Sequence, residues 1–106
     1  MSTDRLAQLR NMLAEDPGDK FLRYGIALEL KRAGDMEAAA ADLEQLLRDD
    51  PAYIPCYYQL ALVLADLGRT TEAMEACSAG ALQCIVTGDR KARAELLALK
   101  SELEDA

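Results

Sequence analysis

Apolar residues recur at helical spacing along almost the whole chain. Met36, Ala39, Ala40, Leu43, Leu46 and Leu47 form an i, i+3, i+4, i+7 stripe, with Glu37, Asp42, Glu44 and Arg48 on the other side. The same reading predicts a helix over 3–15 with Leu6, Leu9 and Leu13 on one side, and one over about 20–33 with Ile26, Ala27 and Leu30 inward. Further helices are predicted over about 54–67 and 70–86, and over 90–104 with Leu96, Leu99 and Leu103 inward. The breaks have local causes. Asp19 and Asp35 suit helix N-caps, and Gly34 suits the left-handed position after a helix end. Pro51 stops the helix before it, because the residue preceding proline avoids the helical region. Pro55 falls in a first turn, where its missing N–H costs little. Gly68 ends a helix, Thr70 restarts it with Glu72 favourably near the new N-terminus, and Thr87-Gly88-Asp89 breaks and recaps the chain. Six helices are predicted, with almost no strand.

These breaks keep a period. Pro17 and Pro51, Gly34 and Gly68, and Ala39 and Ala73 each stand 34 residues apart. Three coincidences in one register mean an internal repeat of two helices per period. The N-terminal helix matches the second half of such a repeat. Ile85 stands where a third proline is due, so that helix can run on to about position 86.

With this period the chain resembles the tetratricopeptide repeat family, in the form of a small bacterial-type protein. The family signature is W-x₂-L-G-x₂-Y, then A-x₃-F, then P. The first repeat offers Arg23, Ile26, Ala27 and Leu30, then Ala39 and Leu43, then Pro51. The second offers Tyr57, Leu60, Ala61 and Leu64, then Ala73 and Cys77, then Ile85. The departures are Arg23 at the Trp position and the missing third proline. A generic antiparallel bundle explains the stripes but not their register. The resemblance implies an all-α fold: a short α-solenoid of helical hairpins, with two complete repeats between N- and C-terminal capping helices. One domain is expected over 1–106, divided into an N-terminal helix 3–15, repeats 20–51 and 54–86, and a capping helix 89–104.

The resemblance also implies a function. In proteins similar to this one, the first helix of each repeat lines a concave groove that binds a peptide or helix of a partner protein. The first helices here are apolar beyond their packing stripes. Residue by residue, the carry-over gives Tyr24, Leu28, Tyr58 and Leu62 as an apolar floor. Phe21, Lys31, Arg32, Gln59 and Asp66 lie beside it. Tyrosine suits such a floor, being a large apolar contact with a polar tip. A subset of the family clamps a carboxylate with Lys, Arg and Asn. Leu28 and Leu62 stand where Asn would help, so an apolar anchor is the better expectation. The expected function is a non-enzymatic protein-interaction module. A second reading is a homodimer that buries the groove or the end faces.

Composition narrows the classes. The chain has 106 residues, long enough for one modest core, and Ala and Leu dominate it. Twelve Lys and Arg stand against 19 Asp and Glu. An acidic surface does not suit nucleic-acid phosphate or an anionic membrane, so neither partner is expected. The carboxylates are read as a solvated surface and as caps. The sequence shows no apolar h-region and no membrane-length apolar run, and a cytoplasmic location is expected.

Catalytic chemistry has no visible basis. Histidine is absent, which removes the commonest general base. No Gly-rich phosphate loop precedes a helix, so neither enzyme activity nor a cofactor is expected. Cys56, Cys77 and Cys84 admit a thiolate metal site in principle. No tight Cys pair is present, however, and the expectation is small buried hydrophobes.

Overall fold

The computed structural model describes residues 2–105. It holds six helices: α1 (Ser2–Glu15), α2 (Lys20–Arg32), α3 (Met36–Asp49), α4 (Pro55–Asp66), α5 (Thr70–Thr87) and α6 (Arg90–Asp105). No strand occurs among the described residues. Each helix packs on the next, antiparallel through a short turn. In addition the backbones of α2 and α4 and of α4 and α6 come close, whereas those of α1, α3 and α5 stay further apart from one another. The even helices therefore form the tighter, inner row of a two-layer solenoid, and the odd helices form the outer row.

The turns inside the hairpins follow from three glycines. Gly34, Gly68 and Gly88 have φ of 86°, 77° and 77°, a region side chains rarely adopt. At the first turn the Asp35 N–H donates to the Leu30 carbonyl at 2.9 Å and the Gly34 N–H to Lys31 at 3.0 Å. The second repeats this, with Arg69 donating to Leu64 at 2.8 Å and Gly68 to Ala65 at 3.0 Å. Paired bonds of this type satisfy the carbonyls a helix leaves open at its end. The next residue then starts the following helix. Asp35 Oδ1 accepts from the Ala38 N–H at 3.4 Å, and Asp89 Oδ1 accepts from the Ala92 N–H at 3.0 Å. Asp19 does the same for α2, accepting from Leu22 at 3.0 Å.

The α5 start is built differently from those of α2 and α3. Thr70 is the first helical residue, and Arg69 holds the capping place without a side-chain cap. Arg69 instead donates two 2.7 Å bonds to the Glu72 carboxylate. The paired glycine turn fixes where the helix begins, so a hydroxyl one residue later does not act as the cap. At its other end α5 runs through Ile85 to Thr87, four residues past the length of α3. With no proline at that point, nothing stops the helix before Gly88.

Small residues let the layers approach. Ala27, Ala39, Ala61 and Ala73 are fully buried, and Leu43, Leu46 and Leu64 fill the space around them. Cys56 and Cys77 belong to this main core, while Cys84 joins Tyr57 and Leu96 in a smaller cluster between α4, α5 and α6. All three thiols are free and buried.

Candidate functional site

A groove of about 570 Å³ runs along α2. Its apolar wall is Leu9 from α1, then Phe21, Tyr24 and Leu28 from α2, then Met36 from the start of α3. Arg5, Glu29, Lys31, Arg32 and Gln59 supply the polar wall. Phe21 is 74% exposed, so an aromatic ring stands at the groove with little of it covered by the chain itself.

The residues are held by ordinary helix geometry. Phe21, Tyr24 and Leu28 follow one another at three- and four-residue steps and so share a face of α2. Lys31 and Arg32 lie in the last turn of α2, where the helix dipole favours positive charge. Lys31 Nζ donates to Gln59 Oε1 of α4 at 2.9 Å, tying the two inner helices together. Tyr24 packs tilted against Tyr53, with ring centroids 5.7 Å apart. Burial, then Cys56 and Tyr53, push its phenol above the usual tyrosine value, while a hydrogen bond with Gln59 works the other way. Tyr24 is thus a neutral hydroxyl at physiological pH, able to donate or accept.

Glu29 is the residue that sequence reading missed. It is 5% exposed, against the expectation that the carboxylates are solvated. Its Oε1 lies 3.2 Å from Arg5 Nε and 3.5 Å from an Arg32 terminal nitrogen. These partners offset the cost of taking a carboxylate out of water. A signal was present in the period: Val63 stands 34 residues after Glu29, in the fully buried core. A charge at a register position that is core in the other repeat marks a site. Arg5, Leu9, Gly25 and Met36 also line the groove without having been anticipated. They belong to α1, to α2 and to the start of α3.

Six of the nine anticipated residues lie together here: Phe21, Tyr24, Leu28, Lys31, Arg32 and Gln59. The other three do not. Tyr58 lines a separate depression of about 250 Å³, with Ile54 and Pro55 of the α4 start and Asp89, Ala92, Glu95 and Leu96 beside α6. Leu62 is half-buried against the core, and Asp66 is exposed. The expected continuous floor is therefore split. The cause is α6, which packs along α4 and takes up the face that α2 leaves open. Among the described residues no group of three Cys, Asp or Glu is placed to hold a metal ion. No helix among them is long and apolar enough to cross a membrane.

Helical hairpins stacked in register, with a groove on the inner row, define a helical-repeat protein. The sequence model of the tetratricopeptide repeat matches residues 30–83, half of the chain. The chain is 29% identical over 98 residues to a repeat-containing protein of this kind from Pseudomonas aeruginosa, covering 92% of this chain and 93% of that one. It is 32% identical to a tetratricopeptide repeat domain protein of Salinibacter ruber solved by NMR, with a TM-score of 0.81, covering 85% of this chain and 91% of that one. The TPR2B domain of yeast Sti1, solved in a complex with pHsp70, superposes with a TM-score of 0.89 at 16% identity, covering 98% of this chain and 83% of that one. The chain belongs to the tetratricopeptide repeat family. Proteins of this family are commonly protein–protein interaction modules and generally non-enzymatic scaffolds.

Proposed function

We propose that the α2 groove captures a segment of a partner protein through an apolar anchor, with acidic groups of that segment meeting Lys31 and Arg32. The observation behind this reading is the exposed Phe21 ring over an apolar wall rimmed by three cations. Leaving an aromatic ring in water forgoes roughly 2 kcal/mol of burial, which a bound segment recovers. The Sti1 domain, seen with pHsp70, is a protein of the same fold engaged with a partner. Tyr24 adds a rigid apolar surface, and its hydroxyl and Gln59 offer hydrogen bonds to a backbone. Tyr58 and Leu62 lie outside this groove and take no part in anchoring.

A peptide library displayed on phage tests the reading. Selection on the intact chain is expected to enrich peptides with one large apolar residue flanked by Asp or Glu. Leu28→Glu, which keeps a helix-forming residue, is expected to abolish their binding while the far-ultraviolet spectrum and unfolding midpoint stay near those of the wild type. Selected peptides that bind the folded Leu28→Glu protein undiminished contradict it.

A further inference from the structure

The outer face of the last hairpin is unlike that of the hairpin before it. On α3 this face carries Gln45 and Arg48, hydrogen-bonded to each other at 2.9 Å. One period later α5 carries Ala79 and Leu82 at the same positions. Leu82 is 66% exposed, and Ile85 and Val86 on the four-residue extension are exposed as well. Leu82, Ile85 and Leu97 share a depression of about 330 Å³ between α5 and α6, with Arg93 at its side. An apolar face at a register that is polar one repeat earlier points to something that covers it.

The charges of α6 say what covers it. Its start holds Arg90, Lys91 and Arg93, and its end holds Glu102, Glu104 and Asp105. This order opposes the helix dipole, which favours acids at the start and bases at the end. The arrangement costs α6 stability on its own, and it is complementary to a second α6 lying antiparallel. The exposed stripe of α6 is Arg90, Arg93, Ala94, Leu97, Ser101 and Glu104. Arg90 and Glu104 are each seven residues from Leu97. A two-fold axis at Leu97 therefore sets Arg90 of each copy against Glu104 of the other. Small Ala94 and Ser101 on either side of Leu97 permit close approach of the helices.

We infer that a second copy of this chain docks on the α5–α6 face, with the two α6 helices antiparallel about Leu97 and Leu82 and Ile85 of both copies enclosed. Such an interface is self-complementary, as a two-fold dimer requires. It lies on a different face from the α2 groove, so each copy keeps its groove for a partner, and two linked grooves raise the avidity for a partner that carries two segments. Glu104, 4.0 Å from Lys100 within the chain, is shared with the incoming Arg90.

Sedimentation equilibrium over a dilution series at low salt tests this with the whole chain. The wild type is expected to show a monomer–dimer equilibrium that weakens as salt is added. Arg90→Glu and Glu104→Arg are each expected to weaken the dimer roughly tenfold, because two attractions become two repulsions. Mixing the two single variants is expected to restore association, since both pairs form again between unlike copies. Leu82→Glu is expected to leave a folded monomer by circular dichroism. A wild-type chain that stays monomeric throughout overturns the inference, and that is also the result if another protein's helix covers this face. A dimer that neither charge reversal weakens overturns it too.

Discussion

The two hairpins α2–α3 and α4–α5 are built on one register and have diverged where they face different neighbours. Ala27 matches Ala61, Ala39 matches Ala73 and Gly34 matches Gly68. These positions set the helix spacing and the turn, and neither hairpin can change them without losing the stack. The divergent positions are more informative. Glu29 answers Val63, Arg48 answers Leu82, Leu46 answers Gly80, and Leu22 answers Cys56. In the first hairpin a charge enters the inner face and builds the groove. In the second, the inner face is core and the apolar excess moves to the outside. Shared positions thus report the fold, and differing positions report what each hairpin meets.

Exchanging residues between the hairpins breaks this comparison in graded ways. The largest effect is expected at Gly80. A Cβ there would lie 2.6 Å from the Tyr57 Cβ and 2.8 Å from Leu96, so three helices meet with no room for a side chain. Gly80→Leu, the residue of the first hairpin, is expected to cost about 3 kcal/mol or more in urea unfolding. A loss below about 1 kcal/mol would mean that the smaller cluster can repack freely.

The turn glycines come next. No atom lies within 4 Å of a Cβ built at Gly34 or Gly68, so any cost there comes from the backbone alone. Gly34→Val and Gly68→Val are each expected to lose about 2 kcal/mol, equally for the two hairpins. Binding to the α2 groove should fall only as far as the folded fraction falls. Weaker binding at equal stability would show that Gly34 shapes the groove rather than the turn.

A third difference appears at alkaline pH. Burial pushes the Cys56 thiol up from 9.0 to about 12, with Arg23 opposing and Asp50 adding to the rise. The fold favours the neutral thiol. Below pH 9 both states are protonated and the stability is fully present. Between about 9 and 12 the unfolded chain ionises first, and Cys56 alone should remove roughly 1.4 kcal/mol per pH unit. Burial raises Cys77 and Cys84 in the same direction. Cys56→Leu, the residue at this position in the first hairpin, is expected to flatten that part of the profile. An unchanged alkaline slope would assign the loss to other groups.

The smallest stability effect is expected at Glu29. Glu29→Val removes a buried carboxylate and leaves Arg5 and Arg32, whose side chains are mostly exposed and can rehydrate. The stability should change by less than about 1 kcal/mol, in either direction. The groove should become more apolar and more positive, so that acidic, apolar-anchored peptides bind at least as tightly. A loss of several kcal/mol would show that the ion pair holds α1 in place.

The repeating features of the fold were legible in the sequence because they are local. Proline, glycine and Asp caps act within a few residues of themselves, and their spacing displays the period directly. The site was legible only in part. Phe21, Tyr24 and Leu28 could be placed on one face of α2 by helical spacing. Which neighbour that face meets depends on how α1 and α6 pack at the two ends, and spacing within one helix does not contain that. Tyr58 was therefore joined to a floor that α6 divides. Glu29 was taken for one more surface acid, although its match to Val63 in the other repeat marked it.

The central claim is that a partner segment occupies the α2 groove. The most direct measurement is a titration of a ¹⁵N-labelled chain with a selected apolar-acidic peptide, followed through backbone amide shifts. The expected shifts concentrate at Arg5 and Leu9, along Phe21 to Arg32 and at Gln59, with Leu82 and Leu97 unmoved. Shifts concentrated beside Tyr58 or on the α5–α6 face, with α2 silent, would contradict the account.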